Sequence, residues 1–252
     1  MTYGISFFDA VNFPAFVLLF TSVLPLVFRV RLYILTRLPN LTLVRPLKTP
    51  AEICQMPLHV GNELDRSNNP FARGLAKLML RLLGWKIAGT LPDNTPRLVV
   101  TAAPHTSNFD GFYFFLAITA MGLNVRVMAK HSLFKGLFGS FLRYMGAFAV
   151  DRRSAKDVVQ QVADQFASKE KMLLVLAPEG TREAVEKWKT GFVRMAHAAS
   201  VPICLGFMDY KAKVVGMGPV MTASGDHEAD LSLIQAFYSQ VSPRAPENFI
   251  CK

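Results

Sequence analysis

The sequence predicts an α/β fold: a mixed, mostly parallel sheet flanked by helices, behind an apolar N-terminal helical segment. Three observations predict it. From Arg97 onward, short apolar runs alternate with segments in which apolar residues recur at helical spacing. Polar loops carrying proline or glycine follow the ends of those runs, where a strand gives way to a helix. Ahead of this alternation, Ala10 to Phe28 contains no charged residue.

That first segment, at about 1.5 Å per helical residue, is just short of a bilayer core of roughly 30 Å. Pro14 and Pro25 bend it, and Arg29, Arg31 and Arg37 follow where they can sit among anionic headgroups. It reads as seated in a membrane, by one crossing or by a dip into one leaflet, with a buried core helix as the other reading. Pro39, Pro46, Pro50 and Pro57 mark an extended connection. Residues 1–57 are therefore taken as a membrane-associating segment and linker, and 58–252 as the main domain.

Composition agrees with that division. The chain has 252 residues, enough for one full-sized core, and 51% of them are apolar. Its 28 basic and 18 acidic residues give a formal charge of +10. Such a balance favours an anionic partner: phospholipid, a phosphorylated substrate, coenzyme A or nucleic acid. Nucleic acid is set aside, because no helix-turn-helix, RNA-binding aromatic signature or zinc module accompanies the charge. Cys54, Cys204 and Cys251 are too few and too scattered for a disulfide framework or a zinc site. Met1 to Asp9 has no basic residue and no cleavage pattern follows, so the expected location is the cytoplasmic face of the inner or cell membrane.

In the main domain, Phe71, Leu75, Leu78 and Leu82 share one helical face, with Arg73, Lys77 and Arg81 on the other. Expected strands are Leu98 to Ala102, Val125 to Ala129, Met172 to Ala177, Ile203 to Met208 and Lys213 to Gly216. Between them, Phe109 to Ala120, Ala155 to Ser168 and Gly191 to Ala199 read as helices, and Asp226 to Val241 forms a last one.

Two loops carry residues suited to chemistry. In Pro104-His105-Thr106-Ser107-Asn108-Phe109-Asp110, an imidazole able to take a proton near neutral pH precedes a carboxylate able to orient it. Ser107-x-x-Asp110 is also a capping-box variant, and the two uses are compatible. The second loop, Pro178-Glu179-Gly180-Thr181-Arg182, follows another apolar run. Gly180 admits a close backbone approach, Thr181 offers a hydroxyl, and Arg182 offers a fork suited to phosphate. Glu179 is placed to order Arg182 or to bind a substrate hydroxyl. Lys130, Arg152 and Arg153 add positive charge between these blocks.

His105-x4-Asp110, the region Lys130 to Arg152, Glu179-Gly180-Thr181-Arg182 and Val201-Pro202-Ile203 resemble, in order and approximate spacing, the four blocks of the glycerolipid acyltransferases, which include 1-acylglycerol-3-phosphate acyltransferase. The resemblance spans about Gly84 to Pro219. It implies acyl transfer from acyl-CoA or acyl carrier protein to the hydroxyl of a lysophospholipid or related glycerol-phosphate lipid. By it, His105 is the general base and Asp110 its partner, while Glu179, Gly180, Thr181 and Arg182, with Arg152, bind the acceptor and its phosphate; Ser107 and Lys130 are also expected to bind substrate. No metal is expected, and no cofactor beyond the thioester donor. Pro104, Ser132, Gly136 and Leu205 depart from residues frequent in those blocks. The alternatives are a thioesterase that uses water as acceptor, or a lipid-binding protein of the same fold without turnover.

Overall fold

The computed structural model describes residues 47–251, apart from 131–133, 137–139, 141–142, 144–145 and 151–154. The apolar run Ala10 to Phe28 and its membrane reading lie outside the described residues. Among those described, no helix is long and apolar enough to cross a membrane.

The central strand is β3, Arg97–Ala103, in which every residue after Arg97 is buried. Apart from Thr101, whose hydroxyl is hydrogen-bonded, its apolar run from Leu98 to Ala103 suits a strand covered on both faces. Side chains alternate across it, so Val99 and Ala103 enter one core while Leu98 and Val100 enter the other. In chain order, the elements before it are helix α1 (Pro50–Cys54), β1 (His59–Val60), α2 (Pro70–Leu82) and β2 (Lys86–Leu91). After it come α3 (Asn108–Met121), β4 (Arg126–Lys130), β5 (Ala147–Val150), α4 (Ala155–Ala167) and β6 (Met172–Leu176). The chain continues through α5 (Gly191–Ala198), β7 (Ile203–Asp209), β8 (Val214–Met221) and α6 (His227–Tyr238).

The strands form one sheet in the order β1-β2-β8-β7-β3-β6-β4-β5. β7 and β8 pair antiparallel, and the other described pairs are parallel. Helices α2 and α3 supply Ala76, Leu80, Phe114, Leu116, Ala117 and Ala120 to one face. Helices α4, α5 and α6 supply Val162, Phe166, Phe192, Val193, Leu231 and Ile234 to the other. This is the α/β architecture expected of the alternating pattern.

Three strands have no counterpart in the apolar pattern. β1 is two residues long, β5 is a four-residue edge strand, and β2 is interrupted by Gly89. Gly89 has φ of +92°, and a Cβ there would fall on the backbone carbonyl of Met217, its register partner on β8. Only glycine allows the two strands to approach this closely. Gly89→Ala is therefore expected to destabilise the fold by about 3 kcal/mol or more, measured by urea denaturation; a loss under about 1 kcal/mol would contradict the close approach.

β8 runs well past its expected end at Gly216, through Pro219. A register irregularity on β7 between Cys204 and Gly206 lies opposite and accommodates a residue that cannot donate to the ladder. The stretch Arg37 to Pro57, expected to be extended throughout, contains α1. Thr49 and Glu52 form a capping box, Pro50 takes the first turn where no amide is needed, and Ile53 is buried in the core.

Candidate active site

β3 and β6 are parallel neighbours, so the loops after them leave the same edge of the sheet. The contact between the loops is direct: the His105 backbone N–H donates to Glu179 Oε1 at 2.8 Å. Helix α3 begins within the first loop, with Ser107 as its N-cap.

Asp110 sits in the first turn of α3 and is fully buried. Its Oδ2 accepts from the amides of Thr106 and Ser107, both at 2.6 Å. Its Oδ1 accepts from Ser107 Oγ at 2.9 Å and from Tyr210 Oη at 2.5 Å. Four donors thus satisfy a buried carboxylate. His105 Nδ1 lies 3.8 Å from Asp110 Oδ2, close enough for electrostatic interaction but beyond a hydrogen bond. The carboxylate that caps α3 is therefore also the acidic group beside His105, and the hydroxyl of Ser107 is directed to it.

Burial lowers the pKa of the His105 imidazole from its ordinary value; Asp110 opposes that shift and Arg182 adds to it. The net effect favours the neutral ring, which is the form that can accept a proton. Glu179 moves the other way. Burial pushes it up to about 7, against the hydrogen bond from His105 N, and its Oε2 is buried without a partner among the described residues.

A stability prediction follows from that value. Between about 4.5 and about 7 the folded protein retains a proton on Glu179 that the unfolded chain has lost, so stability falls as pH rises through this window. The total is about 3 kcal/mol at most. Glu179→Gln is expected to remove this component of the slope in urea denaturation between pH 4.5 and 7.5, and an unchanged slope would contradict the raised value.

Around this centre, Gly180 adopts φ of +71° in a turn whose amide donates to Ala177 O at 3.1 Å. Thr181 Oγ1 accepts from the amide of Glu183 at 3.3 Å. Arg182 donates to Asn108 Oδ1, so the second loop grips the start of α3 beside His105. Lys130 ends β4, which runs parallel to β6 toward the same edge, whereas Arg152 lies outside the described residues.

An oxyanion at this site would need hydrogen-bond donors, for which the loop amides near His105 and Gly180 are the natural candidates. The amides of His105, Thr106 and Ser107 are instead committed to Glu179 and Asp110, and that of Gly180 to Ala177 O.

Residues from the C-terminal part of the chain also reach the site. Tyr210 follows β7, whose carboxyl end shares this edge because β7 is parallel to β3. The Ala245 amide donates to Thr106 Oγ1 at 3.3 Å, and the Arg244 guanidinium lies 3.9 Å above the Phe109 ring. A polar residue at the end of a predicted strand was the available signal for Tyr210; no local pattern marks Arg244.

No curated protein sequence matches the chain. The crystal structure of the 1-acyl-sn-glycerophosphate (LPA) acyltransferase PlsC from Thermotoga maritima is similar over 67% of this chain and 76% of that one, with a TM-score of 0.47 and 14% identity. Residues 86–204 match the acyltransferase family model, which takes in both loops and the strands that carry them. By that match, residues 86–204 are similar to the acyltransferase family.

Proposed function

We propose that the protein transfers a fatty acyl group from acyl-CoA or acyl carrier protein to the hydroxyl of a lysophospholipid or related glycerol-phosphate lipid, with His105 as general base and Asp110 as its partner. The observation that carries this reading is the pairing of a partly exposed His105, favoured in its neutral form, with a fully buried and fully bonded carboxylate. His105 takes the proton as the hydroxyl oxygen attacks the thioester carbonyl, and Asp110 stabilises the resulting imidazolium. Collapse of the tetrahedral adduct breaks the carbon–sulfur bond, and the proton passes from imidazolium to the leaving thiolate. With the nearby amides committed elsewhere, Arg182 is the charged group best placed for the phosphate of the acceptor or for the oxyanion. Ser107 acts by holding Asp110, Glu179 by holding the amide of His105, and Gly180 and Thr181 by shaping the loop that presents Arg182. Lys130 and Arg152 are assigned to substrate charge.

The acceptor is drawn from a membrane, with the apolar run Ala10 to Phe28 as the anchoring segment and the domain at the cytoplasmic face. Two features of the described domain support the lipid surface. Phe71, Leu75, Leu78 and Leu82 of α2 are exposed, as are Phe109, Phe112 and Phe115 of α3, whose first turn carries Asp110. Arg73, Lys77 and Arg81 lie on α2 with no acidic residue among them. Such a helix can meet anionic headgroups with its charges and acyl chains with its apolar side chains. Leu78→Glu with Leu82→Glu is expected to weaken binding to anionic vesicles by about tenfold or more, read by co-sedimentation; unchanged partitioning would remove α2 from the membrane contact.

Thiol release from long-chain acyl-CoA, measured with a panel of lysolipids, tests the assignment. Release that depends on one lysolipid identifies the acceptor. Release without any acceptor indicates a thioesterase. No release, with acyl carrier protein as donor as well, leaves lipid binding without turnover.

A further inference from the structure

Asp110 is built into its loop by three bonds that arise within four residues: the amides of Thr106 and Ser107 and the hydroxyl of Ser107. The fourth comes from 100 residues away, where Tyr210 Oη reaches Oδ1 at 2.5 Å. Tyr210 lies outside the residues that match the family model.

Its own placement is firmly determined. The backbone N–H donates to Ser242 O at 2.9 Å. The ring meets Trp85 edge-on with centroids 5.0 Å apart, and Trp85 in turn stacks on Tyr113 at 4.2 Å. Toward the solvent side, the Arg244 guanidinium lies 6.0 Å from the ring centroid. Tyr210 is therefore held by Trp85 and by the stretch that carries Ser242 and Arg244, neither of which belongs to the His105 loop.

We propose that Tyr210 is a positioning residue for the reaction assigned above: as the second donor on Oδ1, beside the Ser107 hydroxyl, it locks the rotation of the Asp110 carboxylate with Oδ2 toward His105. It also draws part of the carboxylate charge toward itself, away from the imidazole. The proposal rests on His105 being the base, but its geometry is independent of the acceptor. Burial and the neighbouring Asp110 hold the phenol proton well above its ordinary range, so Tyr210 remains a donor throughout the working pH range. The groups that face His105 are Asp110, Arg182 and, at its amide, Glu179; those that face Tyr210 are Asp110 and Arg244.

The test is Tyr210→Phe in the full chain, which keeps the ring and removes the hydroxyl. The expected kcat is about tenfold lower, with KM for donor and acceptor unchanged within about twofold. Without the phenol, the carboxylate acts more strongly on the imidazole. The acid limb of kcat/KM therefore moves to higher pH, and so does the His105 ring titration followed by NMR. In an Asp110→Asn background the same substitution leaves that titration unmoved. Incorporation of 3-fluorotyrosine at position 210, a stronger donor with the same ring, moves it to lower pH.

An unmoved titration in Tyr210→Phe overturns the proposal, as does a shift that persists with Asp110→Asn. Loss of activity that tracks melting temperature with an unmoved acid limb assigns Tyr210 to packing alone and also overturns it. The NMR readout needs no turnover. If His105→Ala retains acyl transfer, the catalytic reading fails while the coupling of Tyr210 to His105 is still decided.

Discussion

His105→Ala is expected to lower kcat by about 10³- to 10⁴-fold, the upper range for removal of a general base. The fold should survive the change. The side chain of His105 is 28% exposed, and the bond that ties this residue to Glu179 comes from its backbone N–H, which alanine retains. Urea denaturation should therefore shift by no more than about 1 kcal/mol. Steady-state kinetics and denaturation on the same preparation separate a catalytic role from a structural one. Full activity in the variant would exclude His105 as the base, and a large stability loss would place it among the packing residues.

Substitution of Asp110 is expected to damage both quantities. In Asp110→Ala, the Thr106 and Ser107 amides and the Tyr210 hydroxyl lose their acceptor at a site with no solvent access, at a cost of about 3 kcal/mol or more. Asp110→Asn keeps the volume but offers one acceptor oxygen to four donors, and a fall in kcat of about 10³-fold or more is expected. Its pH dependence has a definite sign. Asp110 raises the pKa of His105 against the effect of burial, so its neutralisation moves the acid limb of kcat/KM to lower pH. A limb that stays in place would show that the imidazole does not sense this carboxylate across 3.8 Å.

How far the site can be read from the chain depends on how local its interactions are. The His105 loop lies between the apolar run of β3 and the helical period of α3, and its capping box belongs to a single turn, so it is visible in a short window of sequence. The approach of Glu179 to His105 depends on one further step, that β3 and β6 lie side by side and parallel. The Tyr210 bond depends on several: the register of β7 against β3, the antiparallel turn into β8, and the Trp85 ring that braces the phenol. No periodicity encodes those relations. β2 escapes notice for a related reason, because Gly89 is required by the backbone of β8 and interrupts the apolar pattern of its own strand. Helix α1 is signalled by a capping box but is set among prolines, and its retention depends on burying Ile53.

The measurement that bears most directly on the account is a stoichiometric one. Wild-type protein and His105→Ala are mixed with acyl-CoA and vesicles that contain the lysolipid selected from the panel, and released thiol and acylated lipid are counted together. One acylated lipid per thiol released is expected in the wild type, with loss of both products in the variant. Thiol released without acylated lipid, or equal yields from the two proteins, would contradict it.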